Sequence, residues 1–424
     1  MDPRFGVITF LAERPCEPGA PQFFHYYAKA TNAAELGAEA NFRLGGGASS
    51  DRDRAMGKAI GEAVERYCSA FYFKQSLPLA SVNDASFPCV DPGAFALYRD
   101  DQYATWRAGG FVPFTGDVPV RWTRARDIET SRAVYVPAAM VYMPYVPDLD
   151  VEPWIVQPIS TGLACNEGPE NALVSAACEA IERDAFTIFW QARLGPPRVP
   201  RASLDETNRD LLDRFARARY DVTLFNITTD IGVPAAMAVA CHDDPREPAL
   251  CIAAASHPLA NLAARKCLEE LEHTRKWCRR LKATTPPVDP KKAGDILVQE
   301  DHLRFWCEHS NRAFADWLFT SALEIELPKV AFSDEHDPAE HLTHVRESLK
   351  TAGLQFLFVD LTTREIRELG LNVIKAVIPG LHPLFIGHEK RALGGRRLYE
   401  VPARLGYETP NLPLHDPTNV HPFP

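Results

Sequence analysis

The chain has 424 residues, of which 46% are hydrophobic and 24% are charged. These proportions are typical of a folded soluble protein that is large enough to need no disulfide or metal for stability. The net charge of −10 argues against nucleic acid as the main partner, because binding to phosphates calls for a basic surface.

In chain order, the predicted elements begin with a lead-in over about residues 1–44 and a flexible glycine-rich loop at 45–50. A long helical pattern covers about 53–73, and the short alternating runs in 88–150 indicate strands and loops. A second helix is predicted over about 169–190, with a proline at a favoured position in its first turn. The later expected elements are strands at 221–227, 235–241, 354–360 and 371–378 and helices at about 259–281 and 336–351.

Frequent prolines from Pro402 onward predict an extended tail over 402–424 that contains no helix. No low-complexity linker divides the chain, so we expect one mixed α/β domain over 1–424. The ten cysteines include no Cys-x-x-Cys pair, which indicates neither a zinc site nor a thioredoxin-like site. Without a signal peptide or a long apolar segment, the chain is expected in the reducing cytoplasm, without membrane contact.

The most informative feature is a repeated pair of glutamates three residues apart, which a helix places on one face. An isolated pair of this kind usually lies on a solvated helix surface, because repulsion between the two like charges destabilises the helix by only a few tenths of a kcal/mol. Mg²⁺, however, prefers carboxylate oxygens and shares them with phosphates. The residues alone leave both interpretations open for the three copies, Glu62/Glu65, Glu179/Glu182 and, more loosely, Glu269/Glu272.

Neither a P-loop nor a dinucleotide-binding glycine motif is present. The motifs instead resemble those of the YcaO family, from about Gly45 to the end of the chain. The matching segments are 61–67, 160–172, 179–185, 265–269, 377–381 and 421–424. The resemblance implies a mixed α/β YcaO fold in which glutamates hold Mg²⁺ around the triphosphate of ATP.

The resemblance also implies roles for individual residues. The implied metal ligands are Glu62, Glu65, Glu179 and Glu182. The implied nucleotide-binding residues are Arg66, Asn166, Glu170, Asn171, Arg183, Arg265, Glu269 and Glu272, and the implied catalytic residues are Pro422 and Pro424 in the tail. The chain departs from the common family pattern at Lys58, where many members have Ser, at Asn171, often Glu, and at Val420, often Pro.

By the same resemblance, the chain is expected to phosphorylate backbone amide oxygens of a ribosomally made precursor peptide and to form thiazolines or oxazolines from Cys, Ser or Thr. Among YcaO classes, the Pro-x-Pro ending favours this azoline-forming cyclodehydratase over a peptide thioamidation enzyme. A non-catalytic ATP-binding accessory protein is a further alternative. Because only about 44 residues precede the matching region, leader recognition is expected in trans, by an E1-like or ThiF-like partner. Oxidation to azoles would need a separate flavin dehydrogenase. The sequence does not decide whether the chain forms a homodimer.

Overall fold

The structure is a computed structural model that describes residues 2, 4, 6–106 and 110–423. Within these residues the strands are β1 (Ile8–Arg14), β2 (Phe24–Ala30), β3 (Leu44–Ser49), β4 (Leu79–Ala80), β5 (Val120–Asp127), β6 (Ala133–Pro137), β7 (Leu163–Glu167), β8 (Asp221–Asn226), β9 (Ala235–Cys241), β10 (Leu250–Ser256), β11 (Leu357–Asp360) and β12 (Leu371–Val377). The helices are α1 (Arg52–Cys68), α2 (Asp100–Thr105), α3 (Pro169–Gln191), α4 (Glu206–Arg217), α5 (Ala260–Thr284), α6 (Gln299–Trp306), α7 (Pro338–Thr351), α8 (Arg364–Arg367) and α9 (Arg397–Arg404). No helix in this part of the chain is long and apolar enough to cross a membrane.

The described strands form three antiparallel sheets. One sheet has the order β1-β2-β3 and packs on α1, which follows it in the chain; another has the order β10-β9-β8 and packs on α5, which also follows it. The largest sheet has the order β4-β5-β11-β12-β7, with β6 paired to β5. The fold therefore contains two similar sheet-and-helix units beside a larger sheet.

Strand β3 occupies most of the segment that the sequence predicted to be a flexible glycine-rich loop, so this prediction was wrong. The glycines serve close packing instead, because a Cβ atom on Gly45 or Gly47 would collide with the backbone of Ala59 or Ala55 in α1. Glycine thus lets α1 lie directly on the strand. This close packing sets the distance between α1 and the edge of the sheet.

Helix α3 lies at the centre of the molecule. It packs against β7 and β12, against α7, and through its C-terminal half against β9 and β10. Most of its side chains are buried, including the aromatic residues Phe186 and Trp190. Charged side chains on a helix that is apolar almost all round are unusual, and they mark a candidate site.

The expected mixture of helices and strands is confirmed, and the helices predicted near 169–190, 259–281 and 336–351 are α3, α5 and α7. The elements that were not predicted are strands β1, β2, β4, β7 and β10 and helices α2, α4, α6, α8 and α9. The extended tail begins later than expected, because α9 continues through Pro402 to Arg404. A proline there removes one N–H group from the helix, while burial of Leu398 and Val401 holds the turn in place. All ten cysteines are free thiols.

Candidate functional site

The first part of the site lies on α1, where Glu62, Glu65 and Arg66 share one face. Glu62 Oε2 accepts a hydrogen bond of 2.7 Å from the backbone N–H of Gly46, and its Oε1 lies 3.1 Å from Arg66 Nη2. Glu65 Oε1 accepts a hydrogen bond of 2.6 Å from the N–H of Cys165. These bonds fix the two carboxylates between β3 and β7.

The second part lies on α3, where Glu179, Glu182 and Arg183 again share one face. Arg183 Nη2 lies 3.7 Å from Glu179 Oε1, and Nη1 lies 3.3 Å from Glu182 Oε1. The side chains of Glu179, Glu182 and Arg183 are only 23%, 12% and 17% exposed. Arg183 Nη1 is buried and makes no hydrogen bond to a described residue. Water therefore solvates these charges poorly.

Glu62, Glu65, Glu179 and Glu182 form what we call the acidic cluster. Burial raises the pKa of Glu65 well above its usual value, and the charges of Glu179 and Glu62 raise this pKa further. Burial also raises the pKa of Glu179 and raises the pKa of Glu182 to about 7, although the Arg183 guanidinium opposes both shifts. Two distant segments of the chain thus bring their carboxylates into one electrostatic environment that favours a bound cation.

The acidic cluster does not form a metal cage from protein atoms alone: in the described part of the chain, no three Asp, Glu, His or Cys side chains are close enough to hold a metal ion. Mg²⁺ commonly binds only one or two carboxylates and completes its shell with water and phosphate. The cluster fits this chemistry, because Glu179 and Glu182 accept no hydrogen bond from any described residue and the single guanidinium group of Arg183 pairs with both carboxylates.

Lys375 on β12 provides a cation that the sequence analysis did not identify. Its side chain is buried, and Nζ donates hydrogen bonds to the carbonyl oxygens of Ile159 at 2.8 Å and Thr161 at 2.6 Å. Burial lowers the pKa of Lys375 to about 8, and the Glu179 carboxylate opposes this shift. A single lysine in a strand belongs to no repeated motif, so only the structure reveals its burial beside the cluster.

Helix α5 contributes through Glu269 and through its neighbour Glu270, which the sequence analysis did not name. Glu269 Oε2 and Glu270 Oε1 lie 2.9 and 3.3 Å from Lys58 Nζ. The charge of Glu270 also contributes to raising the pKa of Glu182. Spacing could have shown that Lys266, Glu270 and His273 share a helix face, since they are four and three residues apart.

The structure does not bring Glu272 to the acidic cluster. Glu272 is completely buried and accepts hydrogen bonds of 2.7 and 2.8 Å from Arg275, while its Oε1 lies 3.4 Å from His25 Nε2. Arg265 makes no hydrogen bond or ion pair with a described residue. The third glutamate pair has the same spacing of three residues as the other two pairs, but its second glutamate lies in different surroundings.

The end of β7 and the first turn of α3 hold the remaining predicted nucleotide-binding residues. Asn166 lies next to the residue whose N–H binds Glu65, and its Nδ2 lies 3.2 Å from Ser175 Oγ. Asn171 donates to the carbonyl oxygen of Glu167 at 3.1 Å, and Glu170 is exposed in the first turn of α3. Asn166 is thus beside the cluster, whereas Glu170 and Asn171 lie about two turns before Glu179.

The proline-rich tail contacts the site through Phe423. The ring centroid of Phe423 lies 4.2 Å from the guanidinium carbon of Arg183 and 4.4 Å from the centroid of Phe186. Pro422 is buried, and Pro424 lies outside the described residues. The tail thus packs against the arginine that pairs with Glu179 and Glu182.

Comparisons with known proteins agree with this architecture. A family model described as YcaO cyclodehydratase, ATP- and Mg²⁺-binding, matches residues 46–382. An uncharacterised protein of Methanothermobacter thermautotrophicus is 26% identical over 406 residues, which cover 93% of this chain and 90% of that protein. An uncharacterised protein from the region 3′ of tfuA in Rhizobium leguminosarum bv. trifolii is 30% identical over 170 residues, 38% of this chain and 40% of that protein.

Solved structures share the fold. A heterocyclase in complex with substrate and cofactor has a TM-score of 0.76 at 22% identity, over 99% of this chain and 55% of that chain. The Escherichia coli microcin synthetase McbBCD complex with pro-MccB17 bound has a TM-score of 0.65 at 11% identity, over 100% of this chain and 99% of that chain. The present chain therefore spans about half the length of the heterocyclase.

Proposed function

Since the chain belongs to the YcaO family, we propose that it is an ATP-dependent cyclodehydratase that forms thiazolines or oxazolines in a ribosomally made peptide. The observation that carries this proposal is that Glu65, Glu179 and Glu182 share one poorly solvated electrostatic environment although they come from two distant helices. Such carboxylates suit a Mg²⁺ ion that also binds the phosphates of ATP.

In the proposed reaction, a Cys, Ser or Thr side chain attacks the carbon of the preceding amide, and the amide oxygen takes the γ-phosphoryl group of ATP. The new C–S or C–O bond closes the ring, the amide oxygen then leaves as inorganic phosphate, and loss of the thiol or hydroxyl proton and of the amide proton leaves a C=N bond in the ring. The products are ADP, phosphate and a peptide that has lost one water. When bound, Mg²⁺ supplies positive charge beside the transferring phosphoryl group.

Residues of this chain would bind and orient the nucleotide. Arg66 and Arg183 each pair with a carboxylate of the acidic cluster and so place a guanidinium group where phosphate oxygens would lie. Asn166 offers an amide beside the cluster, and Pro422 belongs to a tail whose next residue packs on Arg183. We propose that the tail keeps this arginine in position.

We also propose that a separate E1-like or ThiF-like protein captures the leader of the precursor, and that a flavin dehydrogenase oxidises azolines where azoles are formed. The similarity of this chain to the McbBCD complex with pro-MccB17 bound supports partner proteins, because that synthetase is a complex of several components.

The function is tested by incubating the protein with ATP, Mg²⁺, a Cys- and Ser-containing precursor from the same genome and candidate partners, followed by mass spectrometry. Because one relative comes from the region 3′ of tfuA, products of neighbouring genes should be included as partners. Loss of one water per ring is the expected result. Exchange of oxygen for sulfur when sulfide is supplied would replace the proposal with thioamidation, and ATP binding without turnover would indicate an accessory protein.

A further inference from the structure

Lys58 lies on α1 one turn before Glu62 and reaches across to α5. Its Nζ lies 2.9 Å from Glu269 Oε2 and 3.3 Å from Glu270 Oε1. We call Glu269 and Glu270 the α5 pair. Burial would lower the pKa of Lys58, but the charges of Glu270 and Glu269 outweigh it and raise this pKa. The ammonium group therefore stays protonated between the two carboxylates.

Each of the four oxygens of the α5 pair already faces a protein donor. Glu269 Oε1 accepts hydrogen bonds from Ser49 Oγ at 2.7 Å and from the N–H of Ser50 at 3.2 Å, and Lys58 engages Glu269 Oε2 and Glu270 Oε1. Glu270 Oε2 lies 3.9 Å from His273 Nδ1. The α5 pair is thus held by one ammonium group and by other protein donors without a metal ion.

The acidic cluster has fewer protein donors for its four carboxylates. Glu62 is held by Gly46 and Arg66 and Glu65 accepts a single hydrogen bond, whereas Glu179 and Glu182 accept none from the described residues and share one arginine, Arg183. We propose that Lys58 takes the place of a divalent cation at the α5 pair, so that divalent cations bind only at the acidic cluster. This inference rests on the proposed function only in taking the acidic cluster as the Mg²⁺ site. A tethered ammonium provides its charge at any metal concentration.

Mn²⁺ bound to the full chain can be counted by electron paramagnetic resonance in the presence of a non-hydrolysable ATP analogue. Removing the ammonium leaves two unmatched carboxylates, so Lys58→Ser is expected to bind one more Mn²⁺ per chain than the wild type. Lys329→Ser is the matched control, because Lys329 pairs with Glu326 at 2.7 Å on the surface, and its count should equal that of the wild type. Equal counts for Lys58→Ser and the wild type, with both folded by circular dichroism, would overturn the inference.

A second variant tests the inference even where Lys58→Ser does not fold. Glu270→Gln removes a carboxylate from the α5 pair of the wild-type protein. If the pair binds no divalent cation, the Mn²⁺ count is unchanged, and loss of one Mn²⁺ would contradict the inference. The peptide assay is independent of these counts: absence of ring formation refutes the proposed function, whereas the Mn²⁺ counts decide the role of Lys58.

Discussion

At the scale of residues, Arg183 joins two parts of the molecule. One side of its guanidinium group faces the carboxylates of Glu179 and Glu182, and the ring of Phe423 lies against it. A guanidinium group combines ion pairing with stacking on an aromatic face in a way that lysine cannot. The position of Arg183 therefore depends on the tail as well as on α3.

Glu182→Gln is expected to lower peptide-dependent ATP hydrolysis on the order of 100-fold, because a neutral amide binds Mg²⁺ weakly while the volume of the side chain is retained. Glu347→Gln is the matched control, since Glu347 is an exposed glutamate of α7 that belongs to none of the glutamate motifs. Steady-state ATPase assays with the peptide and partner measure the effect. Similar rates for the two variants would argue against a ligand role for Glu182.

The sequence was sufficient to identify the four residues of the acidic cluster, because two nearly identical motifs repeat on two helices. It could not reveal that Glu272 is enclosed by Arg275 and His25, since spacing sets the helix face but not what that face contacts. Lys375 was not predicted either, because its burial depends on the surrounding sheet rather than on its neighbours in the chain.

At the scale of elements, the contact between β3 and α1 depends on the small size of glycine. A strand that contains three successive glycines has a weak intrinsic preference for β structure, which explains why it resembled a loop. Packing against α1 and pairing with β2 override that preference. The sequence predicted the helix of this unit but not the strand on which it lies.

Gly47→Ala is expected to destabilise the protein by about 1–3 kcal/mol, because the added methyl group overpacks the contact with α1. Gly57→Ala makes the same change at an exposed position of α1 with open space around it, and should stabilise the helix by about 0.5–1 kcal/mol. Denaturant unfolding of both variants measures these differences. A destabilisation of the same size in both would show that the contact is not responsible.

The tail is held by a histidine that must stay neutral. His421 is buried, its Nε2 lies 2.7 Å from the carbonyl oxygen of Phe385, and its Nδ1 accepts a hydrogen bond of 3.2 Å from the N–H of Phe423. Burial lowers the pKa of His421 from 6.5 to about 3. The stability that this packing contributes is therefore complete above pH 6.5 and decreases as the pH falls toward 3.

When the pH is lowered from about 7.5 to about 5, protonation linked to His421 is expected to reduce the unfolding free energy of the wild type by about 2 kcal/mol. In the variant His421→Gln the substituted side chain does not titrate, so the unfolding free energy of this variant should not include this pH-dependent decrease. Denaturant unfolding of both proteins at the two pH values gives the difference directly, since other titrating groups contribute to both. Parallel changes in the two proteins would exclude His421 as the source.

At the scale of the whole molecule, the chain covers the common fold but only about half of the heterocyclase that it matches. We predict that the isolated chain modifies a full precursor slowly and that a leader-binding partner raises the rate roughly tenfold or more by positioning the peptide. Single-turnover assays with and without the partner measure the increase. Efficient modification by the isolated chain would show that it recognises the precursor unaided.

The hydrogen bond between Ser49 and Glu269 joins residues 220 positions apart, and the bond between Glu65 and Cys165 spans 100. Closing such long loops is slow and entropically costly. A partly folded chain that contains only one sheet-and-helix unit cannot assemble the candidate site, so a nucleotide that occupies this site would bind the native state alone. A nucleotide at about 100 times its Kd adds about 2.7 kcal/mol to the stability of such a state. For an enzyme that works as proposed, the ATP pool of the cell would therefore act as a folding ligand as well as a substrate.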